Sequence, residues 1–231
     1  MAREPKKARG RPRTFDRERT VAIAMDCYWR EGLEGVSMNE VCRRAGVSKP
    51  GLYREFGGED GLMEAALLQY RSLATVQVLA LLASGQPFAQ VLEMMLTAMT
   101  QVGDLPVGCL LTMMRSAPGR LGPATRARVE AVTLELRAAY EAWFRQGLSR
   151  GEVEPSVSPV LAAHVIDTQF STVFLQMSLG QDPGLVRAQA QLALKSLLRA
   201  TPSSEAPSPA AAALPRRRPR RATKDKLGGE P

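Results

Sequence analysis

The amino-acid sequence predicts an all-α protein in which an N-terminal three-helix unit precedes a larger helical domain. Across the 231 residues, no stretch shows the alternation of apolar and polar residues that a half-buried strand requires. Apolar residues recur instead at intervals of three and four, the spacing that places them on one face of a helix. Aromatic residues are few and methionine is frequent, which indicates helices packed mainly through leucine, alanine and methionine.

The composition narrows the class of protein. An apolar content of 45% is enough for one or two ordinary cores. Arg71 and Asp167 interrupt the longest apolar stretches, so we expect no membrane span and no membrane partner. The N-terminus lacks the apolar segment of a signal peptide, and the three scattered cysteines predict neither a disulfide framework nor a metal site. These features predict a cytoplasmic protein.

The net charge of +8 lies mainly at the two ends of the chain. Residues 1–13 carry six basic residues and one acidic residue, and we expect them to form a disordered basic arm. Residues 201–231, rich in proline, alanine and arginine, are expected to form a disordered basic tail. Residues 14–61 are net acidic, so attraction to an anionic partner must come from the arm and from a few placed cations.

The first helix is expected to begin at Thr14 or Asp16, either of which can cap it, and to end at Gly32. Its apolar stripe consists of Val21, Ala24, Met25 and Tyr28. Trp29 lies just beside this stripe. We therefore expect Trp29 to pack against the following helices rather than to contact a ligand.

Two short helices joined by a tight turn follow. Ser37 and Glu40 form a capping box at the start of the second helix. This helix is expected to end before Gly46, which favours the left-handed conformation found just past helix ends. Ser48 then caps the third helix, predicted at Lys49–Glu55.

The third helix is too short to be stable alone, so Leu52 and Phe56 are expected to anchor it. Lys49, Tyr53 and Arg54 then face outward. A short, capped helix that presents a cation, a phenol and a guanidinium is typical of the recognition helix of a helix-turn-helix. The alternative interpretation is a surface helical hairpin whose cations are only solvated.

Residues 9–70 resemble the DNA-binding domain of the TetR family of bacterial transcriptional regulators. The resemblance is carried by Arg11-Pro12-Arg13, Gly32-Leu33, Ser37-Met38, Ala45-Gly46-Val47-Ser48, Leu52-Tyr53 and Phe56. It covers about a quarter of the chain, and beyond residue 70 only the architecture is similar. The resemblance implies a homodimeric regulator, expected to be a repressor, that binds a palindromic operator in double-stranded DNA and is released by a small apolar effector.

The resemblance also divides the chain into a helix-turn-helix DNA-binding domain, residues 14–61, and a helical effector-binding and dimerisation domain, residues 62–200. Helices of the second domain are expected at Leu62–Ala83, Phe88–Gln101, Cys109–Met114, Ala124–Leu148, Val160–Leu179 and Leu185–Ala200. In the resembled architecture, the first of these helices joins the two domains and the last two form a four-helix bundle with the partner.

By resemblance, the DNA contacts lie on the arm and on the two short helices. The residues expected at the DNA are Arg11, Arg13, Ser37, Ser48, Lys49, Gly51, Tyr53 and Arg54. Among them, Lys49 and Arg54 are expected to carry the recognition, with Tyr53 and Ser48 on phosphates. The arm resembles those that lie along a minor groove, and a solubilising tail is the alternative.

Two acidic residues depart from the family pattern. The family usually has a lysine at the position of Glu59, where it meets phosphate, so that contact is not carried over. A carboxylate there suits a helix N-terminus but repels DNA, so either the arm compensates or the protein docks differently. Glu55 is able to accept a hydrogen bond from a cytosine amine or to pair with Arg54 or Arg43, and both alternatives remain open.

No catalytic constellation is present, so we expect neither an enzyme nor a cofactor. The remaining chemistry is the binding of a small effector in an apolar cavity. Residues expected to line it are Met95, Met99, Cys109, Met113, Trp143, His164 and Phe170. Plain core packing is the alternative for each of them. For Cys109, an inert buried thiol is the alternative to a sensor of oxidants or electrophiles.

Two other functions are compatible with the sequence. The first is an architectural protein that uses both basic ends to bind DNA without sequence preference. The second is a diverged regulator whose larger domain serves only protein–protein interaction.

Overall fold

The computed structural model describes residues 15–103 and 106–199. Arg11 and Arg13, with the rest of the arm and the tail 201–231, lie outside the described residues. Within the described ranges the regular elements are helices, and one isolated β-bridge joins Val153 to Leu198. The α-helices are α1 (Arg17–Gly35), α2 (Met38–Ala45), α3 (Lys49–Phe56), α4 (Glu59–Tyr70), α5 (Val76–Leu82), α6 (Phe88–Thr100), α7 (Leu110–Ser116), α8 (Pro123–Arg150), α9 (Pro159–Ser178) and α10 (Pro183–Leu194). The all-α prediction is confirmed.

Three helices differ most from their predicted form. The first helix was predicted to end at Gly32, but α1 continues to Gly35 across a kink at Gly32, whose φ is 77°. The joining helix begins at Glu59, three residues early, and a π-helical turn at Arg71–Thr75 separates α4 from α5. In this turn the Val76 amide donates to the Arg71 carbonyl, five residues back. The last helix is shorter than expected, because α10 ends at Leu194 and continues as the 3₁₀ turn Lys195–Leu197.

The buried apolar residues form two clusters. The first contains α1–α4 together with α7 and α8, so the helix-turn-helix shares its core with the larger domain. Leu62 of α4, Met114 of α7 and Val132 of α8 are buried together in this shared core. The second cluster is built from α5, α6, α8, α9 and α10. The predicted division at residue 61 therefore does not separate two cores.

A series of polar contacts fixes the direction of α8 relative to α4 and the π-helical turn that follows it. Glu64 binds Arg128 at 3.0 Å, and Arg71 forms an ion pair with Glu135. At the end nearest the helix-turn-helix, the Asp60 carboxylate accepts from the Ala124 amide at 2.9 Å. Each pair is separated by 64 residues. A constant offset means that the two helical segments run parallel and in fixed register.

One helical stretch, Glu59–Leu82, is long and apolar enough to cross a membrane when judged by length and composition alone. Its best window among the described residues has a mean hydropathy of 1.3. The stretch carries Arg71 near its middle, ion-paired with Glu135, and buries Leu62, Leu67 and Tyr70 in the shared core. One third of the window is buried within the protein.

Asp60 caps the N-terminus of α8 from the first turn of α4. Its carboxylate accepts from the amides of Ala124 and Thr125, each at 2.9 Å, and lies 2.6 Å from the Thr125 hydroxyl. Partial burial raises the pKa of Asp60, but the hydrogen bonds from Thr125 and Ala124 outweigh it and hold the pKa below its ordinary value. This carboxylate ties the helix-turn-helix to the larger domain.

We expect Asp60→Ala to lower the free energy of unfolding by about 1–2 kcal/mol at pH 7, the usual cost of a lost N-cap. A carboxyl group with a lowered folded-state pKa stabilises above its unfolded pKa, and this stabilisation is lost as the pH falls through the folded value. The difference from the wild type, measured by urea unfolding, should persist down to about pH 4 and shrink below it. Asp26→Ala, which removes only an exposed pair with Arg30, is the control and should change little. Equal stability of Asp60→Ala and wild type at pH 7 would contradict the assignment.

Candidate DNA-binding surface and effector cavity

The turn between α2 and α3 is built from the capping residues that the sequence indicated. The Ser37 hydroxyl accepts a hydrogen bond from the Glu40 amide at 3.2 Å, and Gly46 adopts a left-handed conformation with φ of 68°. The Ser48 hydroxyl accepts from the Gly51 amide at 3.2 Å and so caps α3. Both serine hydroxyls, which were expected at the DNA, therefore have a structural role at helix ends.

Gly51 and Gly61 are places where the backbone of the helix-turn-helix packs closely. Gly51 is buried, and a β-carbon there would lie 3.0 Å from the Ser48 hydroxyl oxygen that caps the same helix. At Gly61 a β-carbon would come within 2.0 Å of the Phe56 carbonyl oxygen, so only glycine lets α4 start against the end of α3. These contacts fix the angle at which α3 leaves the protein.

The outward side of α3 carries the three residues that were predicted there. Lys49 and Arg54 are exposed, and the Tyr53 side chain is 47% exposed. On the inner side, Leu52 is fully buried and the half-buried Phe56 contacts the core. The short helix is thus held from behind, and the face with the cations is accessible.

Ion pairs distinguish these cations from the other basic residues nearby. Arg43 and Arg44 both bind Glu40, and their hydrogen bonds lower the pKa of that carboxyl to about 2. Arg44 also forms an ion pair with Glu31. In contrast, Lys49 and Arg54 contact no carboxylate within the residues that the structure describes. These two side chains keep their full charge available for an anionic partner.

Glu55 and Glu59, the two acidic residues that depart from the family pattern, both form ion pairs. Glu55 binds Arg17 at 3.1 Å, so its partner is neither of the two arginines proposed from the sequence. Glu59 binds Arg120 at 3.2 Å, and the same guanidinium donates to the Leu33 carbonyl oxygen. The arginine offsets the negative charge of Glu59 and links α4 and the end of α1 to the turn before α8.

A cavity of about 640 Å³ lies between α1 and the helices of the larger domain. Its walls come from α1, from α4, the π-helical turn and α5, from α6 with Gln101 and Gly103, from residues 106–109, and from α7, α8 and α9. Four of the predicted effector residues line it: Met95, Met99, Cys109 and Phe170.

Three predicted effector residues lie elsewhere, which corrects the sequence interpretation. Trp143 is buried in the second core cluster and stacks on Phe88 with ring centroids 3.9 Å apart. His164 is exposed on α9. Met113 lines a separate cavity of about 220 Å³. The smaller cavity shares Gly108, Cys109 and Phe174 with the main one, so Met113 lies next to the main cavity without lining it.

Trp29 is a lining residue that sequence reasoning missed. Its ring lies edge-on to Tyr70 at 5.0 Å, and its indole nitrogen donates to the Gly108 carbonyl oxygen at 3.1 Å. The available signal was its position just off the apolar stripe of the first helix. Because Trp29 belongs to α1, the cavity borders directly on the helix-turn-helix.

Polar chemistry in the cavity wall is concentrated around Cys109. Burial, followed by the neighbouring Cys109, raises the pKa of Tyr70, whose hydroxyl is hydrogen-bonded to the thiol. Cys109 is half-buried, whereas Cys27 and Cys42 are buried. Among the described residues, no group of three or more His, Cys, Asp or Glu side chains is arranged to hold a metal ion.

Comparisons with known proteins agree with this arrangement. A family model described as bacterial regulatory proteins, tetR family, matches residues 21–66. Over 65 residues the chain is 40% identical to the HTH-type transcriptional repressor ComR of Escherichia coli (strain K12), a match that spans 28% of this chain and 31% of ComR. Over 112 residues it is 30% identical to the repressor BdcR of the same strain, spanning 48% of this chain and 47% of BdcR. The matches thus span about a third and about half of these two proteins, both of which are named repressors rather than enzymes.

The fold extends the similarity beyond the matched residues. A cysteine-substituted form of the TetR family regulator CifR, solved in complex with a 26-bp operator duplex, superposes with a TM-score of 0.67. The superposition covers 81% of this chain and 100% of the CifR chain, at 24% sequence identity. At this identity the likeness establishes the shared fold.

Proposed function

We propose that the chain, whose residues 21–66 match the model of the tetR family of bacterial regulatory proteins, is a cytoplasmic, DNA-binding transcriptional repressor of that family. It binds a palindromic operator as a homodimer, and a small effector in the cavity releases it. ComR and BdcR are named transcriptional repressors, and CifR has been solved on operator DNA, which supports this proposal.

The accessible, unpaired cations of α3 are the observation that carries the proposal. Lys49 and Arg54 stand on the exposed side of a helix that Leu52 anchors from behind. The neighbouring Arg43 and Arg44 form ion pairs with Glu40. The positive charge that this surface offers to DNA phosphates therefore comes mainly from Lys49 and Arg54. Arg and Lys on a helix that enters the major groove read guanine, and Tyr53 is placed to contact phosphate.

The homodimer is supported by an uncovered apolar face on α9 and α10. Leu161, Leu175 and Leu179 of α9 are 56%, 50% and 67% exposed, and Leu185 and Leu192 of α10 are 53% and 76% exposed. Gln176 and Gln189 join the two helices through a hydrogen bond of 2.9 Å. An apolar face on two packed helices fits a second copy related by two-fold symmetry. Val165 and Phe170 of α9 pack toward the body of the protein instead.

An architectural DNA-binding protein remains the second candidate, because the basic ends of the chain supply sequence-independent attraction. Footprinting of genomic fragments bound by the full-length protein separates the two functions. A repressor should protect a small number of discrete sites that resist competition by bulk DNA. Protection spread uniformly along the fragments would favour the architectural function.

Tyr53→Ala should weaken operator binding by about 5- to 10-fold, the range expected for one lost hydrogen bond per subunit. The dimer should remain folded, because the side chain is 47% exposed. Tyr53→Phe is the matched variant, since it removes only the hydroxyl and should show most of the loss. Gel shifts measure the affinity and thermal unfolding checks the fold. Normal affinity for both variants would place the hydroxyl away from the phosphates.

Cys109→Ser should abolish any response of DNA binding to oxidants. The thiol is half-buried in the cavity wall and hydrogen-bonded to Tyr70, so its oxidation would alter packing next to the helix-turn-helix. Gel shifts with diamide-treated wild type and variant test this expectation, with Cys42→Ser as the control for a buried thiol. An identical response in Cys109→Ser and wild type would eliminate Cys109 as a sensor.

A further inference from the structure

The walls of the cavity restrict the charge of the molecule that it accepts. The lining residues within 15–103 and 106–199 include no Asp, Glu, Lys, Arg or His. Asp167 lies near one end of the cavity, at Tyr140, but Arg115 and Arg137 bind its two oxygens at 2.9 and 2.8 Å. The carboxylate is therefore compensated, and neither of the two arginines lines the cavity. An ionised ligand buried here would find no counter-ion among the described lining residues, and such burial is strongly unfavourable.

The Tyr140 hydroxyl is a polar group without a partner in this cavity. Tyr140 is 5% exposed, and its ring packs edge-on against Phe170 at 5.7 Å. Burial raises its pKa well above the ordinary value, so the group is a neutral hydroxyl at physiological pH. It makes no hydrogen bond to any described residue, whereas Tyr70 in the same cavity is satisfied by Cys109.

The Thr75 hydroxyl is a second polar group on the cavity wall without a hydrogen-bond partner among the described residues. Thr75 is 4% exposed and ends the π-helical turn. Helical threonines usually bond back to a carbonyl four residues earlier, as Thr97, Thr100 and Thr133 do at 2.7–2.8 Å. Within the described residues, the Thr75 hydroxyl makes no such bond. The buried side-chain polar atoms that lack a partner within the described residues belong to Tyr28, Arg120 and Trp143. The Tyr140 and Thr75 hydroxyls are not among them, so both are accessible from the cavity, where a few polar groups on an apolar wall fix the orientation of a ligand.

We propose that the cavity binds an uncharged, mainly apolar molecule whose oxygen atom, a carbonyl or a hydroxyl, is held by the Tyr140 and Thr75 hydroxyls. Met95, Met99 and Phe170 enclose its apolar part. The volume of about 640 Å³ lies in the range of small-molecule sites. This inference rests on the proposed effector response, and it adds the chemical class of the effector.

Calorimetric titration of the full-length protein, free of DNA, with four ten-carbon probes tests the class of ligand. The probes are 2-decanone, 1-decanol, decanoate and decylamine, each used below its critical micelle concentration. We expect 2-decanone and 1-decanol to bind at least about 100-fold more tightly than the two ions, because the ions meet no counter-charge. Decanoate or decylamine binding as tightly as 2-decanone would overturn the inference, and so would the absence of binding by all four probes.

Tyr140→Phe and Thr75→Val test the two hydroxyls, since each variant keeps the shape of the side chain. Both should weaken 2-decanone binding by about 5- to 10-fold. The ligand-free variants should unfold at the wild-type temperature or above it, because each removes a hydroxyl that has no hydrogen-bond partner among the described residues. Unchanged affinity in both variants would overturn the assignment, as would a clear loss of ligand-free stability, which would mean that the hydroxyls already have partners.

The results of these experiments distinguish a failure of the ligand assignment from a failure of the proposed function. If the protein binds operator DNA but none of the neutral probes, the ligand class fails and the regulator assignment stands. If 2-decanone binds through Tyr140 and Thr75 without changing operator affinity, the site stands and its regulatory role fails.

Discussion

Leu192→Glu is expected to convert the protein to a monomer and to abolish operator binding. Leu192 is 76% exposed and belongs to the apolar face on α9 and α10. Because a two-fold axis relates the two subunits, the dimer interface contains the substituted residue twice. Losing two buried leucine side chains costs about 4–6 kcal/mol, which corresponds to a fall in dimer affinity of roughly three to four orders of magnitude. A buried, unpaired carboxylate adds to this cost.

Light scattering after gel filtration measures the mass of the variant, and gel shifts measure its DNA binding. Leu134→Glu is the matched control, because Leu134 is 58% exposed but lies on α8, outside this face. The control should remain dimeric and bind DNA. A dimeric Leu192→Glu protein with wild-type operator affinity would show that α10 does not form the interface.

Arg54→Ala should weaken operator binding by about 1–3 kcal/mol per subunit, the value of one guanine contact in the major groove. Arg54 is exposed on α3 and contacts no carboxylate among the described residues, so its removal leaves no stranded partner and should not affect folding. If it reads a base, discrimination at one position of each half-site should also relax.

Arg145→Ala provides the control for the change in net charge. Arg145 is an exposed arginine of α8 that pairs with Glu141, and its removal should leave operator affinity within about two-fold of the wild type. Binding isotherms on the operator and on a scrambled duplex, at two salt concentrations, separate base reading from phosphate attraction. Equal behaviour of Arg54→Ala and Arg145→Ala would exclude Arg54 from the DNA interface.

The helix-turn-helix could be predicted from the sequence because its signals are local. Ser37, Gly46 and Ser48 act within one turn of their own positions, and each appears in the structure in its predicted role. Leu52 and Phe56 have one core to face, so the outward residues of α3 follow from their spacing. Capping chemistry and a single apolar stripe are enough for this part of the chain.

The residues that line the cavity could not be predicted in the same way. In the larger domain most helices have apolar residues on several faces, and only the packed structure decides which face borders the cavity. Trp143 and Phe170 look equivalent in the sequence, and both belong to the second core cluster, yet only Phe170 also lines the cavity. His164, which was expected at the cavity, is exposed on α9.

The long-range polar contacts could not be predicted from the sequence either. Glu59 was interpreted as a charge that repels DNA, but Arg120, which binds it, lies 61 residues away along the chain. Asp60 likewise finds the N-terminus of α8 across the fold. No spacing rule connects such positions, so the link between the helix-turn-helix and the larger domain emerged only from the packed helices.

Selection of bound sequences from random duplex DNA by the full-length protein tests the central claim most directly, namely that two copies of α3 enter the DNA together. The selected sites should form a palindrome whose half-sites are centred about one helical turn apart, roughly 34–36 Å. Arg54→Ala should select a motif that is degenerate at one position in each half. Selected sequences without two-fold symmetry, bound with a steep dependence on salt, would contradict the account.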